Sequence, residues 1–199
     1  LYARLWDIQQ TGFMFGHHDD LFYGRKWYDV SGNSDTKEVC GDYPAVFSVD
    51  FAEIMDDRCE ENEANAVRKR CILEARRRGE VIIACCHLNN PLTGGDSWDN
   101  SSAEVVRGIL EDGSAVQAKF KTWLDRLATF AGELKDDQGK PIPVIFRPFH
   151  SIHRLGHGGE KVALRRRSLS VFGSLQSIIS VIQKVYTSLS MPFPRRWIP

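Results

Sequence analysis

The sequence predicts an α/β domain built on a parallel sheet. Short apolar runs of strand character alternate with helical segments, the order expected where crossover helices cover parallel strands. Each run closes on polar, chemically capable residues, where the strands of barrel enzymes deliver side chains to an active site. Four such runs are present, which is half of a (β/α)8 TIM barrel.

The first run is Thr11-Gly12-Phe13-Met14-Phe15-Gly16, expected as a buried strand that ends in the polar loop His17-His18-Asp19-Asp20. Residues 24–43 are rich in Gly, Asp, Ser and Asn and are expected as a loop. Ala45 to Phe51 is the second strand, with Asp50 near its end. The acidic stretch Asp56 to Glu63 is expected as a solvated face. Asn65 to Arg78 has Val67, Cys71 and Ala75 at spacings of four, with Gly79 placed to cap a helix. Val81 to Cys86 is the third strand and the most continuous apolar run. His87-Leu88-Asn89-Asn90-Pro91 follows it, then a loop carrying Trp98. Ser101 and Glu104 have capping-box spacing. Ala115 to Leu134 is the clearest helix; Val116, Phe120, Trp123, Leu124, Leu127, Phe130, Ala131 and Leu134 form one apolar stripe, and its aromatics are expected in the core. Asp136 to Pro141 is a turn, and Pro143 to Phe149 is the fourth strand.

At 199 residues the chain is long enough for one domain with a sizeable core. Its zero formal net charge argues against a nucleic-acid partner. That zero conceals a division. Residues 1–150 hold 25 acidic and 18 basic side chains, whereas residues 151–199 hold one acid, Glu160, and eight bases. Two regions are therefore expected: 1–150, the barrel half, and 151–199, a basic tail. No apolar run reaches membrane-spanning length, so no span is expected. The chain begins at Leu1 without a signal peptide and is expected to be the interior of a longer one. Of the five cysteines, none forms a Cys-x-x-Cys pair, and Cys85 and Cys86 are expected as small core residues.

The polar residues at the strand ends suit a sugar, which needs directional hydrogen-bonding groups and an aromatic platform. His87, Asn89, Asn90, Arg147 and His150 supply the first, and Trp98 is placed to supply the second. His17 and Asp50 close the first two strands and join the candidate substrate-binding set. A metal site on His17, His18, Asp19 or Asp50 is the rival reading, with no His-x-x-x-His or Cys/His spacing behind it.

Four motifs then stand in order: Gly12-Phe13-Met14-Phe15-Gly16-His17; Cys40-Gly41-Asp42-Tyr43-Pro44-Ala45-Val46 with Asp50; His87-Leu88-Asn89-Asn90-Pro91; and Arg147-Pro148-Phe149-His150. Together they cover residues 1–150, and the chain resembles glycoside hydrolase family 26, the β-mannanases. The resemblance implies a (β/α)8 barrel that hydrolyses β-1,4-linked mannan with retention of configuration. One catalytic Glu ends the fourth strand and one the seventh. It implies no cofactor and no resident metal, a mannan polysaccharide or oligosaccharide as partner, a monomer, and a secreted, periplasmic or cell-surface location. Retaining enzymes hold two carboxyls about 5–5.5 Å apart, one as nucleophile and one as acid/base.

In the family the acid/base Glu directly follows the His that matches His150; here that position is Ser151. A serine hydroxyl does not titrate near neutral pH and cannot protonate a leaving oxygen as a carboxylic acid does. Neither catalytic glutamate is expected in this chain, so it is expected to be inactive. The expected alternatives are a non-catalytic mannan-binding fragment and a chain that does not fold stably. After His150 the family pattern continues with Glu and an aromatic segment containing Trp-Trp-Gly. If Ser151-Ile152-His153 is coded AGC-ATA-CAC, restoring one preceding G gives Glu-His-Thr. His157 to Glu160, coded CAT-GGT-GGG-GAG, rereads as Trp-Trp-Gly. A one-base deletion accounts for both, and for the charge switch and the Arg165-Arg166-Arg167 run.

Overall fold

The apolar runs become the strands of one parallel sheet, and the helical stripe becomes part of its cover. The structure is a computed structural model and describes residues 1–59 and 63–147. In chain order its elements are helix α1 (Tyr2–Ile8), strands β1 (Gly16–His18), β2 (Tyr23–Gly24) and β3 (Trp27–Tyr28), helix α2 (Asp35–Cys40), strand β4 (Val46–Asp50), helices α3 (Ala52–Met55) and α4 (Ala64–Arg78), strand β5 (Val81–Cys85), helices α5 (Val105–Leu110) and α6 (Ala115–Glu133), and strand β6 (Val144–Arg147). The main sheet has the order β1-β4-β5-β6, and every neighbouring pair is parallel. The α/β class and the parallel sheet are as the sequence predicts. No helix among the described residues is long and apolar enough to cross a membrane.

Strand register sorts the side chains into two faces, because cross-strand partners point the same way and successive residues alternate. Phe47, Ile82 and Val144 form one row, and Val49, Ala84 and Phe146 the next. All six are buried, and they pack in one cluster with Ile72 and Ala75 of α4 and with Trp123, Leu124, Leu127 and Ala131 of α6. Each large side chain fully buried in this way contributes about 1.5–3 kcal/mol. The stripe on α6 is the one its spacing predicts; Val116 and Phe130 flank it half-buried, and Phe130 meets Phe51 edge-on at 5.4 Å between ring centres. Ser114 caps α6 by accepting the Gln117 N–H at 3.0 Å.

Helix α4 ends at Gly79, whose φ of 87° closes the helix in the left-handed region that glycine enters without strain. Its buried Arg68 donates to Glu53 at 2.7 Å and to Asn65 at 3.1 Å, and stacks over Phe22 at 4.7 Å. One guanidinium thus ties α4 to α3 and to the loop after β1. Arg76 and Arg77 at the helix end pair with Asp136 and Asp137, fixing the turn that leads into β6.

Four local expectations are corrected. The first strand is not Thr11–Gly16 but Gly16–His18, with Phe13 91% and Phe15 56% exposed. An apolar run does not choose its own hydrogen-bond register; among the described residues β1 pairs only with β4, and that pairing begins at Gly16 opposite Val46. His17 and His18 therefore belong to the strand. Residues 24–43 are not a bare loop. A β2–β3 hairpin packs the Trp27 indole on Gly24, where any Cβ would collide with the ring. Asp35 accepts the Trp27 Nε1–H at 2.8 Å and the Arg25 N–H at 2.7 Å. Ser34 then caps α2. Asp56 is fully buried, so the stretch it opens is not simply a solvated face. Glu104 itself is the residue before α5, and its N–H goes to Ser102 Oγ at 3.2 Å, so Ser101 makes no capping box. His150, Ser151 and the tail 151–199 lie outside the described residues, as do Pro148 and Phe149 of the expected fourth strand.

Candidate functional site

The face of the sheet opposite the helices carries the polar groups. Its rows run Gly16–Val46–Val81, then His18–Ser48–Ile83–Ile145, then Asp50–Cys85–Arg147 at the strand ends. The row nearest the end is the chemically rich one, as parallel α/β architecture leads one to expect. It follows from alternation: once Phe47 and Val49 are committed to the core, Ser48 and Asp50 must face the other way.

Asp50 is the centre of the group. Its Oδ1 accepts the Ala52 N–H at 2.7 Å and the His87 N–H at 3.3 Å, while Oδ2 meets His87 Nδ1. The ring of His87 is thereby held in one orientation. His18 Nδ1 lies 2.9 Å from Ser48 Oγ, and Nε2 lies 3.2 Å from Asp19 Oδ2. The His18 and His87 rings stand 6.5 Å apart, nearly perpendicular. Asp19 has a φ of 55°, strained for a non-glycine residue. Its N–H donates to Ser48 O at 2.7 Å, and its Oδ1 receives the Asp50 N–H at 3.4 Å. Burial raises the Asp19 carboxyl above the usual carboxylate range, with Asp50 adding to the rise and His18 opposing it.

A second, deeper carboxylate positions the loop after β5. Asp56 accepts from Arg58 through Nε at 2.9 Å, through Nη2, and through the backbone N–H at 3.0 Å. It also takes the Asn89 N–H at 3.2 Å. Arg58 Nη2 reaches on to His87 O at 3.2 Å. Arg126 of α6 donates to the carbonyls of Met55 at 3.3 Å and Asp56 at 2.9 Å. The His87–Asn90 backbone is thus held from below by an ion pair. The Asp56–Arg58 pair lay in a segment the sequence reads as surface, and the sole hint was an Asp two residues before an Arg.

Of the seven substrate-binding candidates, Asp50 and His87 come together, joined by His18. Arg147 is exposed at the end of β6, opposite Cys85. His17 faces away, its Nδ1 3.3 Å from buried Asp20. Asn90 is buried and engaged in its own loop: Oδ1 accepts the N–H groups of Leu92 at 3.0 Å and Thr93 at 3.2 Å, and Nδ2 donates to Asp99 O at 3.4 Å. That loop presents Trp98 with 65% of its surface exposed, after its N–H is fixed by Asp96 at 2.9 Å. Of Cys85 and Cys86, Cys86 is a core residue against Met55, while Cys85 lies on the polar face beside Asp50. Cys85 was missed as a site residue because the whole run Val81 to Cys86 reads as core, although alternation from Val81 puts Cys85 on the face that holds Asp50. His18 was named only in the rival metal reading because the first strand was placed too early.

Three comparisons bear on this arrangement. The family model described as Glycosyl hydrolase family 26 matches residues 1–156. A curated relative from Bifidobacterium adolescentis, named mannan endo-1,4-β-mannosidase, is 31% identical over 126 residues, 60% of this chain and 12% of the relative. Among solved structures, a GH26 β-mannanase from Bacteroides ovatus is 32% identical with a TM-score of 0.76, covering 94% of this chain and 53% of that one. The catalytic domain of a GH26 endo-β-1,4-mannanase from Bacillus sp. JAMB-750 is 29% identical with a TM-score of 0.76, covering 94% and 50%. The chain therefore spans about half the length of the solved structures it matches and far less of the curated relative.

Proposed function

Because this chain belongs to glycosyl hydrolase family 26, we propose that its strand ends are a binding face for β-1,4-linked mannan and that the 199-residue chain does not cleave it. The names of its relatives support the substrate class. The binding half rests on the gathering of Asp50, His87 and His18 at the strand ends, followed by a loop that offers Trp98 to solvent. An exposed indole on a braced loop is the kind of apolar platform on which a sugar ring stacks.

Ser151 carries the second half. Retaining hydrolysis needs one carboxyl to protonate the leaving oxygen and another to attack the anomeric carbon. The resemblance puts the proton donor at position 151, where a serine stands, and the nucleophile on a seventh strand, while the described sheet has four. Asp50 is no substitute for the proton donor, since two backbone N–H groups and His87 already bind its carboxylate. A polymeric substrate also favours a secreted, periplasmic or cell-surface location.

The test uses the purified full chain on galactomannan. Affinity electrophoresis is expected to show retarded migration that Trp98→Ala and His87→Ala each reduce, and a reducing-end assay is expected to stay at background. Release of reducing ends would overturn the non-catalytic reading; unretarded migration of folded protein would overturn the binding reading.

A further inference from the structure

We propose that His18, Asp50 and Cys85 form a zinc-type divalent metal site on the face of the sheet opposite the helices. One ligand atom from each of the three lies within 4.8 Å of the other two. No linear motif announces the group, because the strand register assembles it. Asp50 and Cys85 are direct cross-strand partners at the ends of β4 and β5, and His18 stands one row lower on β1, opposite Ser48.

The donor set selects the metal. A thiolate, an imidazole and a carboxylate suit zinc, whereas calcium and magnesium take oxygen ligands almost throughout. Zinc holds such ligands at about 2.0–2.3 Å, which puts ligand atoms about 3.3–3.7 Å apart in a tetrahedron. The present spacing, within 4.8 Å, is therefore no more than about 1.5 Å from closure. Three protein ligands leave a fourth position for water.

The surroundings already do what a second layer of a metal site does. His18 has Ser48 on Nδ1 and Asp19 beside Nε2, so whichever nitrogen binds the ion, the other is oriented. Asp50 is aimed by the N–H groups of Ala52 and His87, both received by Oδ1, while Oδ2, which meets His87 Nδ1, keeps a further lone pair. Burial, with Asp50 and Asp19 close by, pushes the Cys85 thiol up to about 12, and Arg147 only partly offsets this. A bound cation reverses that balance. The metal takes the thiolate electron pair, and the thiol proton leaves to solvent.

The test is metal binding by the purified full chain, with no sugar present, so that its outcome is separate from mannan binding. Cobalt(II) is added as the spectroscopic probe, and zinc content is measured after dialysis against micromolar zinc. The expected result is one metal per chain and a thiolate-to-cobalt charge-transfer band. Cys85→Ser should abolish the band, and Asp50→Asn and His18→Ala should weaken binding by about tenfold or more. Cys40→Ser, at an exposed cysteine away from the group, should change neither. His18 is exposed on an edge strand, so His18→Ala tests the site even if a core variant fails to fold. Wild-type protein without retained zinc, a band that persists in Cys85→Ser, or undiminished affinity in His18→Ala would each overturn the site.

Discussion

Replacing Asp56 with alanine should be among the more damaging single changes in this domain. The carboxylate is fully buried and receives Nε and Nη2 of Arg58, the Arg58 N–H and the Asn89 N–H. Alanine leaves two backbone donors without their acceptor, each costing about 1–3 kcal/mol when water cannot replace it. It also strands the guanidinium, and breaking a buried ion pair this way costs about 3–5 kcal/mol. The Arg58 side chain is 38% exposed and keeps Glu53 at 3.6 Å, so it partly resolvates. These costs belong to one network and do not add, so the lower end of the ion-pair range, about 3 kcal/mol, is the expected loss. At about 2–4 °C per kcal/mol for a domain of this size, the thermal midpoint should fall by about 6–12 °C. Asp56→Asn keeps an acceptor oxygen and should lose about half as much. Thermal melts followed by circular dichroism measure both. An Asp56→Ala midpoint within about 1 °C of wild type would refute the claim that this ion pair braces the loop, and so would equal losses in the two variants.

Two further stability changes test other parts of the fold. Gly79→Ala forces a Cβ into the left-handed region at the end of α4 while touching nothing within 4 Å, so the cost is backbone strain alone, about 1–2 kcal/mol by urea midpoint. Burial raises the Glu80 carboxyl despite its bond to Arg78, and Glu80 Oε2 has no partner among the described residues. The folded state then keeps the proton more tightly than the unfolded chain, so stability falls as pH rises from the unfolded value of about 4.3 through the raised folded value. Glu80→Gln removes that titration: it should raise the thermal midpoint at neutral pH, with the gain gone by about pH 3.5. A gain of equal size at both pH values would contradict this.

The sheet was legible in the sequence because its central strands, Val46–Asp50 and Val81–Cys85, are β-branched runs bounded by polar residues. Helices α4 and α6 were legible because the spacing of Cys71 and Ala75, and of Phe120 to Ala131, leaves one apolar stripe to bury. Gly79 and the polar strand ends were equally local signals. The site was only partly legible. Asp50 and His87 could be named from their places at strand ends, but their pairing is a contact across 37 positions in sequence.

By itself the sequence determined the α/β class, the order of the four main-sheet strands with α4 and α6 between them, the core stripe of α6 and the family motifs, since each rests on periodicity or on residues close along the chain. Tertiary structure alone decided register and charge burial. Register turned His18 and Cys85 onto the face that holds Asp50, and turned His17 away from it. Charge burial made Asp56, one acid in an acidic run, a fully buried ion-pair partner of Arg58. Both depend on hydrogen bonds between segments distant in sequence, whose energies no local pattern encodes.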